Sequence, residues 1–306
     1  MHPRPWLAWI QLAASMALVG SYVALSKPLV AAIPVFALAL LRFTIGAVAM
    51  LPWTRAAPGE PPLSPTERRQ LFLQSFFGNF LFSICMLSGV ALTTAVAAGV
   101  ILSTLPAVVA LLSWQVLGER LSRRAVLAVV LAVGGIAALQ LAKAPPGEAR
   151  AASWLGNLLL LGAVLCEAVY VIVGKRLAAT RAPLRVSALI NLWGLALMLP
   201  LGAWQLSRFD LGLLGAGDWS LLVFYALTAS LFSVWLWMSG LRHVPANHAG
   251  VFTVALPIAA TLVGVLVLGE HFGAAQAAAL LLAASGVVLI ATERRGAGAP
   301  SRRLAE

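Results

Sequence analysis

Ten long apolar runs dominate this sequence and constrain its fold more than any other feature. A helix that crosses a bilayer needs about 20 mainly apolar residues, whereas a spanning strand needs only about 10 residues with strict alternation. Uninterrupted runs of helical length therefore predict spanning helices. The runs cover residues 6–25, 33–52, 69–90, 94–117, 125–141, 153–174, 184–204, 217–240, 246–268 and 274–291.

Composition supports a membrane protein and excludes a water-exposed globular surface. Hydrophobic residues make up 61% of the chain and charged residues only 10%. The net charge of +11 does not indicate nucleic-acid binding, because the basic residues lie in short connections rather than among stacking aromatics. With a cytoplasmic N-terminus, sixteen of the 21 Lys and Arg residues lie inside, four outside and Arg42 within a span. This bias predicts a multi-pass protein of the bacterial inner membrane with both termini in the cytoplasm.

The chain repeats itself. A shift of 151 positions aligns residues 87–140 with 238–291 at 17 identities in 54, and a shift of 148 aligns 6–52 with 154–200 at 13 identities in 47. The first alignment carries the same phrase twice, Leu-Pro followed by Leu-Gly-Glu, in "TLPAVVALLSWQVLGER" and "ALPIAATLVGVLVLGEH". About one position in ten should match by chance in such a composition, so the repeat is real.

Each repeat holds five apolar runs, and an odd number of spans has a geometric consequence. The second copy must enter the membrane from the opposite side, and the basic connection "ERLSRR" accordingly becomes "EHFGAA" in the second copy. We therefore expect an all-α integral membrane protein of ten transmembrane helices, arranged as two inverted five-helix repeats around a central cavity. The expected repeats are residues 1–141 and 153–292, joined by a linker at 142–152 and followed by a cytoplasmic tail at 293–306.

Three stretches resemble the EamA domain pair of the drug/metabolite transporter superfamily. They are "LRFTIGAVAMLP", "LSTLPAVVALLSWQVLGERLSRRAVLAVVLAVGGIAAL" and "VLGEHFGAAQAAALLLAASGVVLI", and the resemblance covers about residues 6–292. It implies a ten-helix bundle that carries small metabolites by alternating access, often as export. Bacterial members include exporters of amino acids, nucleosides and lipophilic cations, and no motif here selects among them. The arginine of "LRF", Arg42, has no counterpart in the second half, where Ile190 stands.

Glu167 is the sharpest functional candidate, because it is the only acidic residue well inside a span. An unpaired carboxylate at that depth must face the cavity, pair or be protonated. It is a candidate to bind a substrate ammonium or to carry a coupling proton, and the competing interpretation is a neutral carboxyl bonded to a neighbouring helix. Substrate-binding or coupling candidates are Tyr22, Asn79, Ser103, Pro106, Glu167, Trp235, Trp237, His248, Thr253 and Pro257.

Other conspicuous residues have structural interpretations. Pro106 and Pro257 are expected to make mid-helix kinks that place a free carbonyl beside the substrate path, and the alternative is a fixed kink that only shapes the bundle. Glu119 and Glu270 are expected to favour the N-terminus of the helix that follows each of them or to pair locally, with a gating role as the alternative. Arg42 is interpreted as structural, either pairing with a carboxylate or capping a broken helix, and the alternative is direct contact with the substrate. Lys27 is interpreted as a residue that extends towards the membrane interface.

The chemistry of the sequence favours a transporter over other classes. Paired aspartates, a His-Glu-x-x-His helix and a phosphate-binding loop are all absent from it, so an intramembrane enzyme and an ATP-driven pump are disfavoured. A passive channel would need repeated polar rings. We expect a secondary active transporter of small metabolites that uses no cofactor or metal. The expected substrates are amino acids or related compounds, aromatic ones included, and the alternative substrates are nucleosides or lipophilic cationic drugs. Expected partners are the substrate, the bilayer and protons as a candidate coupling ion, in a monomer or weak dimer.

Overall fold

The computed structural model of this chain is built from helices. It describes residues 5–56, 59–117, 123–141, 150–177, 181–241, 252 and 254–291, and within these residues there is no strand. The α-helices in chain order are α1 (Pro5–Ala32), α2 (Val35–Met50), α3 (Pro65–Ser75), α4 (Phe82–Ala91), α5 (Ala95–Leu102), α6 (Leu105–Leu117), α7 (Arg123–Leu141), α8 (Arg150–Leu177), α9 (Pro183–Leu206), α10 (Ala216–Leu227), α11 (Ser233–Leu241), α12 (Ala255–Leu266) and α13 (Ala274–Ala291). Two π-helical segments, Phe76–Leu81 and Thr228–Phe232, join α3 to α4 and α10 to α11.

Five helical stretches are long and apolar enough to cross a bilayer. They are Trp6–Ala32, Val35–Thr54, Pro65–Ala91, Leu184–Leu206 and Ala216–Trp237. Four shorter apolar helical stretches are Ala95–Val109, Trp154–Tyr170, Ala255–Leu266 and Ala274–Leu289. These helices are those of a multi-pass membrane protein, while the count of ten spans remains a prediction.

The fourth apolar run is broken rather than bent. Helix α5 ends at Leu102, a turn follows at Ser103 and Thr104, and Pro106 is the second residue of α6. A proline fits in the first turn because the N–H groups there have no intrahelical acceptor in any case. Pro257 likewise is the third residue of α12. The prediction of mid-helix kinks at both prolines is therefore wrong.

The two halves of the sequence interlock. Helix α1 packs on α11 and α12, α2 packs on α9, α4 packs on α8, and α7 packs on α13. Each of these pairs joins a helix that precedes residue 142 to one that follows residue 149. The core between them includes Phe43, Met86, Leu160 and Tyr225, all of which are fully buried. The interior is consequently shared by both halves.

Glycines allow α2 and α9 to approach closely. A Cβ atom at Gly46 would lie 2.7 Å from the Ser230 Oγ and 2.9 Å from the Asn191 Oδ1. A Cβ atom at Gly194 would lie 3.0 Å from the Phe43 ring and 3.1 Å from the Asn79 Cβ. Small residues of this kind let membrane helices pack backbone to backbone. This crossing fixes the positions of α2 and α9 beside the interior cluster described below.

Valine at Gly194 is expected to lower the melting temperature of the detergent-purified protein. Overpacking of a tight contact costs about 1–3 kcal/mol, and the added atoms would press on Phe43 and Asn79. Gly217→Val is the matched control, because a Cβ at Gly217 meets nothing within 4 Å. Equal melting temperatures for the two variants would contradict the close crossing.

An ion-pair cluster holds the polar segment before α3 against the start of α9. Arg181 donates from its Nε to the Glu67 Oε1 at 2.7 Å and from its Nη1 to the Glu60 Oε1 at 2.9 Å. Ser64 caps α3 by accepting from the Glu67 N–H, and the Glu67 carboxylate accepts from the Ser64 N–H. This cluster lies at the polar start of α3, outside the apolar part of the helix.

Candidate functional site

Four residues form a cluster of one charge and three rings in the interior of the bundle. Tyr22 of α1, Arg42 and Phe43 of α2, and Tyr225 of α10 are its members, and we call them the interior cluster. The Arg42 guanidinium carbon lies 4.4 Å from the centre of the Phe43 ring and 5.8 Å from that of Tyr225. The Tyr22 and Tyr225 rings meet edge to face, with their centres 5.7 Å apart. Aromatic faces stabilise the buried cation electrostatically.

Two hydrogen-bond donors of the interior cluster have no acceptor within 3.5 Å among the described residues, although their two side chains are polar neighbours of each other. They are the Nε of Arg42 and the hydroxyl of Tyr225, and both atoms are buried. Arg42 as a whole is only 6% exposed. Buried polar groups are nearly always hydrogen-bonded, because an unmade bond in a low-dielectric interior is costly. The interior cluster can therefore donate to an acceptor group of a bound molecule.

Glu167 of α8 supplies the opposite charge. Its carboxyl group lies close enough to Arg42 and to the hydroxyls of Tyr22 and Tyr170 to interact with them electrostatically. Within the part of the chain that the structure describes, it has no ion pair within 4.0 Å and no hydrogen-bond donor. An acid and a base thus face the same interior from two helices without neutralising each other directly. Such an arrangement can hold a molecule that carries both charges.

Polar side chains around α9 join the helices that surround the interior cluster. Asn79 donates to the Ile190 carbonyl at 3.0 Å, and Asn191 donates to the Phe43 carbonyl at 3.0 Å. Ser230 donates to the Asn191 Oδ1 at 3.3 Å. Asn79, a substrate-binding or coupling candidate from the sequence, therefore links the π-helical segment Phe76–Leu81 to α9. Sequence reasoning missed Asn191, although a buried amide next to Ile190, the position aligned with Arg42, was a usable signal.

The remaining predicted candidates lie in different surroundings. Ser103 is buried and bonds to the Val100 carbonyl of its own helix at 2.7 Å. Trp237 packs on Ala8 and Leu12, away from the interior cluster. Trp235 is 50% exposed, which fits a lipid-facing position and not an interior substrate site. The candidates His248 and Thr253, and Glu119 with them, lie outside the described residues.

Glu270 has partners that the sequence did not indicate. Its carboxylate accepts hydrogen bonds from the backbone N–H groups of Ala95 at 2.7 Å and Val96 at 3.0 Å, and from the Lys27 ammonium at 3.0 Å. Glu270 thus caps the N-terminus of α5. The prediction that it favours the N-terminus of the following helix is wrong. Lys27 is likewise an ion-pair partner rather than a residue that only reaches for the interface.

The described residues offer no metal site. No group of three or more His, Cys, Asp or Glu side chains comes close enough to hold a metal ion in this part of the chain. Cys85 and Cys166 are free thiols. The described groups at the site can pair charges, donate hydrogen bonds and make aromatic contacts.

Comparison with known proteins decides the family. The sequence pattern of the EamA-like transporter family matches residues 6–140 and again residues 154–292. This chain belongs to the EamA-like transporter family. It is 36% identical to the uncharacterized transporter YetK of Bacillus subtilis over 87% of this chain and 81% of that one. It is 24% identical to an uncharacterized transporter of Archaeoglobus fulgidus over 94% and 99% of the two chains.

A solved structure shows the same fold. A crystal structure of another protein superposes with a TM-score of 0.62 over 94% of this chain and 96% of that one, at 20% identity.

Membership of the EamA-like transporter family makes this chain a membrane transporter, and its relatives point to transport rather than catalysis. As a transporter it binds a small-molecule substrate and lies in a lipid bilayer.

Proposed function

We propose that this EamA-like chain is a secondary active transporter that moves amino acids or closely related compounds across the bacterial inner membrane by alternating access, in the direction of export. The observation that carries the proposal is the pair of opposite charges in the interior, Arg42 and Glu167. These charges interact but make no direct ion pair. A zwitterion would satisfy both at once.

The interior cluster suits the two ends of an amino acid differently. A carboxylate would accept from the Arg42 Nε and the Tyr225 hydroxyl, which have no acceptor among the described residues. Hydrogen bonds to a charged acceptor are about twice as strong as those between neutral groups. An ammonium would pair with Glu167, and the rings of Tyr22 and Phe43 offer contact area to an aromatic side chain.

Alternating access is supported by matched contacts in the two halves. A Cβ at Gly89 would lie 3.0 Å from the Gly156 carbonyl oxygen, and a Cβ at Gly240 would lie 3.0 Å from that of Ala8. The sequence repeat aligns Gly89 with Gly240 and Ala8 with Gly156. The same packing therefore recurs at aligned positions, as expected of two inverted repeats that can exchange conformations.

Two further features follow the same alignment. A Cβ at Gly135 would lie 3.2 Å from the Ala279 carbonyl oxygen, and one at Gly286 would lie 3.3 Å from that of Ala128. The shift of 151 also aligns residues 77–81 with the second π-helical segment, 228–232. Single π-turns inside α-helices are frequent at functional sites. Both observations support ten spans in two inverted halves.

Protons are the proposed coupling ion, and Glu167 is the proposed carrier. A carboxylate inside a span is costly while it is charged, so protonation and substrate binding compete for the same group. Export of a zwitterion would then be driven by proton entry. The topology that accompanies this proposal places both termini in the cytoplasm, and the working unit is a monomer or weak dimer.

Counterflow in proteoliposomes tests the function. Vesicles are loaded with an unlabelled solute, and the same solute in labelled form is then added outside. Amino acids, nucleosides and organic cations are compared at two pH values. We expect transient accumulation of an amino acid that saturates with concentration. Accumulation of only nucleosides or only cations would overturn the substrate class, and flux that never saturates or overshoots would indicate a channel instead of a carrier.

A further inference from the structure

We infer that Glu270, Lys27 and the N-terminus of α5 form a closing contact between the two halves of the transporter, and that this contact opens and re-forms in each transport cycle. The inference rests on the proposed alternating-access function. The gating role that the sequence left as the alternative for Glu270 thereby gains named partners, Lys27 and the N-terminus of α5.

The Glu270 carboxylate holds three donors from two helices. It accepts from the Ala95 N–H, the Val96 N–H and the Lys27 ammonium, all within 3.0 Å. The next N–H of α5, that of Ala97, bonds to the Thr94 hydroxyl at 3.0 Å. Three of the four N–H groups that a helix start leaves without partners are therefore satisfied here. Two of them depend on a residue from the other half of the chain.

The backbone around Glu270 is shaped to bring its side chain to α5. Gly269 has a φ of +66°, which favours glycine, and the Glu270 N–H bonds to the Gly264 carbonyl at 2.9 Å. A Cβ at Gly264 would lie 2.9 Å from the Glu270 Oε2, so a larger residue there would displace the carboxylate. The Glu270 side chain is only 7% exposed, while that of Lys27 is 30% exposed.

A contact of this kind suits a reversible closure. Lys27 lies near the end of α1, Ala95 begins α5, and Glu270 follows α12, so the contact joins first-half helices to the second half at one end of the bundle. A charged group bound to a helix N-terminus is stabilised by the helix dipole. Its strength depends on geometry, so a small separation of the halves releases it. In the proposed cycle, the two halves separate at this end of the bundle when substrate passes it.

Reversible cross-linking tests whether the contact must open. Lys27→Cys and Glu270→Cys are combined in a protein whose native thiols are removed by Cys85→Ala and Cys166→Ala, and a methanethiosulfonate cross-linker joins the two new thiols. We expect amino-acid counterflow to fall about tenfold or more after cross-linking and to recover after reduction. Each single-cysteine variant, treated with the same cross-linker, should transport after treatment at the rate that it showed before treatment.

The outcomes separate this inference from the proposed function. Counterflow is measured first in the thiol-free parent, where an absence of transport would bear on the proposed function alone, and then in the untreated double variant, whose rate is the reference for the cross-linked protein. Full transport by the cross-linked protein would overturn the inference, because a contact that stays closed would then be compatible with turnover.

A charge-neutral variant supplies a second readout that a merely structural role would not move. The reporter is a cysteine introduced by Ser103→Cys into the same thiol-free parent and labelled with a membrane-impermeant maleimide. Adding Glu270→Gln should raise its labelling rate about 10- to 100-fold, because hydrogen bonds to a charged group are lost and the open state gains population. Ser103 is 4% exposed and follows α5 directly. Glu67→Gln, which breaks the ion pair with Arg181 instead, is the matched control. Equal labelling rates of the reporter cysteine alone, with Glu270→Gln and with Glu67→Gln would overturn the inference.

Discussion

Glu167→Gln is expected to reduce amino-acid transport about 10- to 100-fold or to uncouple it from the proton gradient. The substitution keeps the size of the side chain and removes its charge, so the ammonium of a bound substrate loses a charged partner in a low-dielectric interior. If the residue carries the coupling proton, exchange of substrate continues while proton-driven accumulation is lost. Initial rates in proteoliposomes, with and without a pH gradient, distinguish the two forms of the effect.

The control for this variant is Glu67→Gln, which neutralises a carboxylate at the polar start of α3. Glu67 bonds to Arg181 and Ser64 and has no contact with the interior cluster among the described residues. We expect this control to transport at the wild-type rate with the wild-type pH profile. Wild-type rates and an unchanged pH profile for Glu167→Gln would show that the buried acid is only structural.

Arg42→Gln is expected to weaken binding of amino acids about 10- to 100-fold and to leave binding of the corresponding decarboxylated amines unchanged. Its guanidinium is the buried cation of the interior cluster and has an unpartnered Nε among the described residues. Loss of a charge-assisted hydrogen bond to a carboxylate corresponds to about this change in affinity. Ligand-induced shifts in melting temperature, measured with an amino acid and its amine in parallel, report the selectivity.

Two conservative variants distinguish substrate contact from simple packing. Arg42→Lys keeps the charge but loses the planar donor geometry, so binding of amino acids should fall only partly. Tyr225→Phe removes one donor and keeps the ring that meets Tyr22 at 5.7 Å, so it too should weaken carboxylate binding selectively. If Arg42→Gln weakens amines and amino acids equally, or only lowers the melting temperature without ligand, then Arg42 supports the fold and does not select the substrate.

Hydropathy was sufficient to predict the helices and their approximate positions, because run length alone separates spanning helices from strands. The sequence also singled out Glu167 as the only acid well inside an apolar run, and this residue lies within α8, while its role in transport stays a prediction. The break at Pro106 was not predicted. A proline ends one helix or begins the next according to the turn before it, and Ser103 and Thr104 are as compatible with a continuous helix as with a turn.

The contacts of Glu270 and Arg42 could not be predicted from the sequence, because they depend on how distant helices pack. Glu270 and Lys27 are 243 positions apart, and no local pattern relates an acid at the end of one span to the start of another helix. Tyr225 lies in an apolar run where any aromatic ring would satisfy the hydropathy pattern. Its importance follows only from its position beside Arg42, which depends on how α2 and α10 pack.

The most direct test of the central claim compares an amino acid with its decarboxylated amine in counterflow by the wild-type protein. Proteoliposomes are loaded with either unlabelled compound, and uptake of the labelled compound is followed over time. The Arg42 and Glu167 arrangement predicts saturable, overshooting uptake of the amino acid and little uptake of the amine. Equal counterflow of both compounds, or counterflow of the amine alone, would contradict a site that recognises both charges of a zwitterion.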